Sequence, residues 1–249
     1  MDKKQHLEDF FNNIPNRFDI LEFGISKSVQ KAYIRSSKKY VLKDNSENVL
    51  KTGNDLFDLS FSSAAKKRIL INLAHLGSIE AYRIIEKYAQ WEKDQVLREW
   101  SLLSLRECQM FLESDLTQEG KGFISTGLGG EGDRLRYYFV LSSKDGMPFS
   151  QRQKEMIERE FSVIGRKHNS LIEEIEFQEN YSLVKALIPM DTAVGDVIEE
   201  GINHCNEVED CIDFHYYVTN VRKPRKKEIR EYLQERNYGH KEGEQEESR

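Results

Sequence analysis

The strongest periodic signal begins at Ala64. Ile69, Leu70, Leu73 and Leu76 share one helical face, at the three- and four-residue spacing of an amphipathic stripe. Gly77 is placed to stop that helix and Ser78 to cap the next. The second helix carries Ile79, Tyr82, Ile84, Ile85, Tyr88 and Ala89, and breaks after Trp91. Asp94 caps a third, bearing Val96, Leu97, Trp100, Leu103, Cys108, Phe111 and Leu112. Connections this short predict antiparallel neighbours. Upstream the pattern is weaker. Leu7, Phe10, Phe11 and Ile14 are spaced for a short helix that ends near Pro15. The apolar run from Phe18 to Ile25 fits either a strand or a helix. Ser26 is positioned to cap a helix with Val29, Ala32 and Tyr33. Residues 39–52 read as a hairpin or as a loop before a helical turn.

The second half alternates strands and helices. Leu135–Leu141 is a strand, followed by a helix over 149–168 with Met156, Ile157, Phe161 and Ile164 on one face. Leu171–Phe177 and Tyr181–Ile188 are strands joined by a turn at Glu179-Asn180. Asp191 is placed to cap a helix bearing Val194, Val197, Ile198, Gly201, Ile202 and Cys205, and Asp213–Val221 is the last strand. Pro224 fits the first turn of a closing helix over 228–236. This β-α-β-β-α-β order predicts a ferredoxin-like sandwich, with both helices on one face of an antiparallel sheet. Strands 135–141 and 181–188 would be central, with 214–221 beside the former. The fold class expected is therefore α+β. A helical domain spans 1–116, a ferredoxin-like domain 117–238 and a disordered charged tail 239–249. One conflict stands: a hairpin from Phe123–Leu128 to Leu135–Leu141 would compete with 214–221 for one sheet edge.

Asn72-Leu-Ala-His-Leu-Gly-Ser-Ile-Glu-Ala-Tyr82 resembles the turn of a HEAT repeat. Asp94-Gln-Val-Leu-Arg98, with Leu102, Leu103 and Leu105, resembles the first helix of the next repeat. The resemblance covers about 64–114, roughly one and a half repeats, and departs from the pattern at Trp100, where a small residue is usual. It implies a HEAT-like protein-interaction scaffold that is not an enzyme, stacked on further helices or on the C-terminal part.

Composition narrows the classes. Of 249 residues, 38% are hydrophobic and 32% charged, with 13 Phe and 11 Tyr to build cores. A net charge of −6 argues against broad nonspecific binding to nucleic acid or membranes. Four Pro and 15 Gly predict regular elements with few long loops. The sequence has no apolar run long enough for a membrane span, and its N-terminus lacks the apolar core of a signal peptide. Cys108, Cys205 and Cys211 read as reduced thiols of a cytoplasmic protein.

Candidate chemistry is sparse. Gly127-Leu-Gly-Gly-Glu-Gly-Asp-Arg134 invites a phosphate-loop reading through Gly127, Gly129, Gly130 and Arg134. It lacks the Gly-Lys-Ser/Thr ending, precedes a strand and carries Glu131 and Asp133, so a hairpin turn is favoured. His204, Cys205, Cys211 and His215 do not match common zinc spacings, and neither metal nor cofactor is expected. Arg222, Lys223, Arg225, Lys226 and Lys227 pack five cations into six residues, poorly placed for a helix dipole and suited to an anionic partner. Both faces of the sheet carry aromatics: Tyr137 and Tyr138 fall on opposite faces of the first strand, and Tyr216 and Tyr217 on opposite faces of the last. One face packs on the helices and the other awaits a partner. Neither Ser142-Ser143 nor Glu173, Glu174 and Glu176 forms a catalytic set. The expectation is a noncatalytic cytoplasmic scaffold or adaptor that binds a protein partner or itself, and no membrane. The alternatives are an RNA- or ribosome-associated factor using the sheet aromatics and the 222–227 run, and a regulatory module binding a small ligand near the Gly-rich loop.

Overall fold

The computed structural model describes residues 17–40, 45–117 and 121–235. The expected helix over 6–14 and the expected tail over 239–249 lie outside the described residues. The chain is α+β and divides into two compact units. The described residues of the first run over 17–21 and 25–126, and those of the second over 22–24 and 127–235.

In the first unit, β1 (Arg17–Ile20) pairs in parallel with β2 (Lys121–Ile124). The apolar run at 18–25 is thus a short strand followed by an irregular segment. Helix α1 (Lys27–Ser37) follows, with Val29, Tyr33 and Ser37 buried. Ser26 is its N-cap residue, but its hydroxyl donates to Glu99 at 2.6 Å instead of capping the helix. Helix α2 (Ser46–Thr52) is capped by Asn45 and runs into a 3-10 turn (Gly53–Phe57). Then come α3 (Ser63–Leu76), α4 (Ile79–Trp91) and α5 (Gln95–Thr117). Gly77 closes α3 at φ 57°, a left-handed conformation that costs glycine nothing. The hydroxyl of Ser78 accepts from Ala81 N–H, and the Asp94 carboxylate accepts from Leu97 N–H, so both expected caps form. Leu70, Leu73, Ala74, Ile85, Tyr88 and Leu103 are fully buried between these helices.

The second unit holds a five-stranded antiparallel sheet. Its strands are β3 (Gly130–Glu131), β4 (Arg134–Ser143), β5 (Leu171–Phe177), β6 (Tyr181–Pro189) and β7 (Ile212–Thr219). β4 lies between β6 and β7, and β5 is outside β6. This is the strand order expected of a ferredoxin-like sandwich. The edge conflict resolves in two ways. Residues 121–124 pair with β1 in the first unit, although the sequence reading gave them to the second. The short β3 takes only the first rungs of β4, which leaves 138–143 to β7.

Helix α6 (Gln151–Lys167) begins with a capping box between Ser150 and Gln153. Helix α7 (Val194–Val208) has Ala193 at its N-cap, so Asp191 is not the cap expected. Both helices pack on one sheet face. Phe139, Leu141, Val184, Ala186 and Ile188 meet Ile157, Phe161, Val197 and Ile202. A last helix, α8 (226–235 among the described residues), has Ile229 and Leu233 in a cluster with Tyr138, Val140, Tyr181 and Leu183. The second sheet face, expected to await a partner, is therefore covered along these residues by the chain's own helix. The cause is α8's apolar pair at i, i+4, which needs burial as much as the sheet does. No helix among the described residues is long and apolar enough to cross a membrane.

Candidate functional site

In the first unit, α1 turns Gln30, Tyr33, Ile34 and Ser37 toward a cavity of about 490 Å³, with its C-cap residue Lys38 alongside. These positions repeat at helical spacing, so one face supplies them all. Helix α5 adds Leu103, Glu107 and Met110, the end of β2 adds Phe123 and Ile124, and Ser125 follows them. The volume lies in the range that holds a small organic molecule, and its lining mixes apolar walls with a few polar groups.

The chemistry centres on Glu107, whose side chain keeps only 12% of its accessible surface. The Tyr33 hydroxyl donates to Glu107 Oε2 at 2.6 Å, and the Ser37 hydroxyl donates to Oε1 at 2.6 Å. His75 Nε2 lies 2.9 Å from Ser37 Oγ and 3.6 Å from Glu107 Oε2. Its ring sits between those of Tyr40, at 4.4 Å, and Phe111, at 5.1 Å. Burial, followed by the Glu107 charge, holds the Tyr33 phenol well above its ordinary value, so it remains a donor. Burial pulls the His75 imidazole below its ordinary value, against the opposing pull of Glu107. The neutral ring is thus favoured near neutrality, and the carboxylate charge is not cancelled by an imidazolium there. Ser37 and Glu107 approach the same ring nitrogen. The cluster is therefore not a Ser-His-acid relay, in which the acid holds the opposite nitrogen. It is a buried carboxylate with three polar neighbours at a cavity wall. Ser125 also lines the cavity, and its Oγ is buried with no hydrogen-bond partner among the described residues.

Sequence reasoning missed this cluster because Tyr33, Ser37, His75 and Glu107 come from three helices and share no motif. A signal was nonetheless present. Glu107 falls on the stripe of Trp100, Leu103 and Phe111, and Ser37 on that of Val29 and Tyr33, both core positions that favour apolar residues.

The residues singled out in the sequence lie in the second unit. Tyr137 is half-buried on the face that packs against α6 and α7. Tyr138 is buried in the cluster that contains Ile229. The Tyr216 hydroxyl donates to Glu199 at 2.9 Å, and Tyr217 packs on Tyr232 with ring centroids 5.8 Å apart. The aromatics are thus used internally. The cationic run is partly used as well. Arg222 forms a two-pronged ion pair with Glu228, whose carboxyl falls to about 2 through that bond and the Arg225 N–H. Lys223 pairs with Glu176 and sits 5.6 Å above the Tyr138 ring. Arg225, Lys226 and Lys227 are exposed; the 3.6 Å pair of Lys227 with Glu231 is at the surface and worth little.

The Gly-rich stretch contains β3 and its turn into β4, with Gly129, just before β3, and Gly132, in the turn, at positive φ. Gly130 pairs with Leu135, and Arg134 donates to Asn169 at 2.7 Å. Gly127 is held by backbone packing: a Cβ there would stand 1.6 Å from the Val221 carbonyl oxygen. The Glu173 side chain is only 19% exposed. It pairs at both oxygens with Arg136 (2.7 and 2.9 Å) and lies 3.3 Å from Lys185. The bulge in β5 that places it there was not legible in the alternation. Cys205 and Cys211 belong to the core, where burial pushes their thiols to about 12 and about 11. No group of His, Cys, Asp or Glu among the described residues is arranged to hold a metal.

No family model matches this sequence, HEAT repeats included, and no curated protein does. Two similar solved structures are both described as transposases. One, from Deinococcus radiodurans r1 and described as a candidate transposase, is 10% identical; the match covers 41% of this chain and 90% of that one, with a TM-score of 0.37. The other is a REP-associated tyrosine transposase bound to a REP hairpin. It is 11% identical, with 39% of this chain and 61% of that one covered and a TM-score of 0.31. These findings correct the expectation of a noncatalytic scaffold or adaptor, with its protein–protein interaction role. Both structures found are described as transposases, which are enzymes, and neither as a scaffold. The "not an enzyme" reading is withdrawn with it, and an RNA or ribosome partner gains no support. At these TM-scores the likeness transfers no reaction, substrate or partner.

Proposed function

We propose that the first unit carries a small-molecule site in the cavity between α1 and α5, with Glu107 as its reactive group. The observation that carries this reading is the carboxylate itself. It is nearly buried, ordered by two hydroxyl donors, and set in the wall of a cavity of about 490 Å³. Buried charge is costly, and chains retain it where it meets a partner. The chemistry that such a cluster supports is proton transfer. The carboxylate accepts a proton from the bound molecule, and the Ser37 hydroxyl and neutral His75 offer a path to relay it. Three free, buried cysteines suit a reducing, cytoplasmic setting.

Trp100 is a built-in reporter, because its ring packs edge-on against Tyr33 at 5.2 Å. A fragment library screened by saturation-transfer NMR should yield binders that shift Trp100 fluorescence. Met110→Trp, which fills the cavity, should abolish those shifts. A screen without binders, or binders indifferent to Met110→Trp, would refute the proposal.

A second reading concerns the second unit. Exposed Arg225, Lys226 and Lys227 crowd the start of α8, where cations oppose the helix dipole, and this favours contact with a phosphate backbone. A DNA hairpin is the probe. Salt-sensitive binding that is lost when all three are reversed to Glu supports the reading, and binding that survives the reversal removes it.

A further inference from the structure

Resting on the small-molecule reading above, we infer that the cavity in the first unit selects a cationic amine carried on a short apolar body. Four observations converge. The Glu107 oxygens each accept one hydroxyl bond and retain a further acceptor direction, since a carboxylate has about four such sites. The nearest basic group is His75, at 3.6 Å, and it favours its neutral form. Lys38 is at the cavity but exposed, and no ion pair joins it to Glu107 among the described residues. The remaining wall is largely apolar, with Ile34, Leu103, Met110 and Phe123, so a cation that enters finds one carboxylate among the lining residues to answer its charge.

An ammonium supplies what the site lacks, namely positive charge together with up to three donors. One donor reaches Glu107. The side-chain oxygen of Gln30, whose amide nitrogen is already bound to Ile25 O at 2.6 Å, offers a further acceptor. The hydrocarbon of the ligand then lies along Phe123 and Met110. A neutral alcohol of the same shape fills the volume without answering the charge. A carboxylic acid meets like charge.

The experiment is a calorimetric comparison of 2-phenylethylamine and 2-phenylethanol on the full chain. The amine should bind at least about tenfold more tightly, a difference of roughly 1.4 kcal/mol. The preference should disappear in Glu107→Gln, a near-isosteric change checked for folding by circular dichroism. Equal affinity for the two overturns the amine inference while leaving the small-molecule reading intact. If neither binds and the fragment screen is also empty, both fall. The wild-type comparison decides on its own, whether or not Glu107→Gln folds.

Discussion

Replacing Gly127 with alanine tests whether the Gly-rich loop is built for packing or for a ligand. An ideal Cβ at Gly127 lies 1.6 Å from the Val221 carbonyl oxygen and 2.5 Å from its carbon. The Gly127 carbonyl is itself the nearest atom to a Cβ built on Gly24, at 2.2 Å. Backbone from three segments is thus stacked at van der Waals limits. To admit the methyl, Val221 must retreat by roughly 1.5 Å, and close-packed backbone has no flexible end to yield. Ordinary overpacking costs about 1–3 kcal/mol, and the obstruction here is main chain, so Gly127→Ala should lie at or above about 3 kcal/mol. Gly132 is the control. It has φ +59° and nothing within 4 Å of its Cβ, so Gly132→Ala pays only the left-handed penalty of about 1–2 kcal/mol. Both tryptophans, Trp91 and Trp100, lie in the first unit, so their fluorescence does not report this damage directly. Amide hydrogen exchange of the β4–β7 rungs is the readout. Gly127→Ala should lower their protection by two or more orders of magnitude while leaving the Trp unfolding midpoint in place. Protection equal to that of Gly132→Ala would refute the packing argument and return the loop to the ligand reading.

Other outcomes follow from the same geometry. Burial lowers His75, so the unfolded chain takes the proton first as pH falls. Stability of the first unit is full above the ordinary imidazole value and is lost as pH falls through the lowered folded value. Urea midpoints followed by Trp fluorescence between roughly pH 7 and pH 5 should show this slope, and His75→Gln should flatten it. Glu173→Gln removes charge-assisted bonds to Arg136 and leaves Arg136 and Lys185 crowded. It should cost about 1.5–3 kcal/mol in the second unit, towards the lower end because the site is not fully dry. Ser150→Ala deletes one half of the α6 capping box and should cost about 1 kcal/mol by urea unfolding. Cys205, fully buried with its thiol pushed to about 12, should resist iodoacetamide in the native protein and react once unfolded.

Much of the fold was legible because its signals are local. The Leu76-Gly77-Ser78 junction has both a left-handed stop and a cap, and both form. The alternation along Leu135–Leu141 separates Phe139 and Leu141 from Tyr138 and Val140, and the two sets do face opposite ways. What escaped depends on partners distant in sequence. Phe123–Leu128 read as a hairpin arm because nothing nearby says that Phe123 and Ile124 belong to a strand paired with β1, about a hundred residues away. Asp191 has the right side chain for a cap, but the helix starts later, after Ala193. The candidate site was the least legible part. Ser37, His75 and Glu107 each have an ordinary local reading, and only the packing of α1, α3 and α5 turns three unremarkable residues into one cluster.

The bulge in β5 has a bearing on solubility. β5 is the outermost strand on its side of the sheet, and an outermost strand offers unpaired amides and carbonyls on which another chain can grow. The extra residue at Glu173 interrupts the regular ladder spacing, so a flat incoming strand cannot stay in step along all of 171–177. Glu174 adds negative charge beside the break, while Glu176 is paired with Lys223. A second copy arriving in register would bring its own Glu174 against that charge. The device that holds Arg136 in place therefore also works against sheet-to-sheet polymerisation of a chain that carries 13 Phe and 11 Tyr.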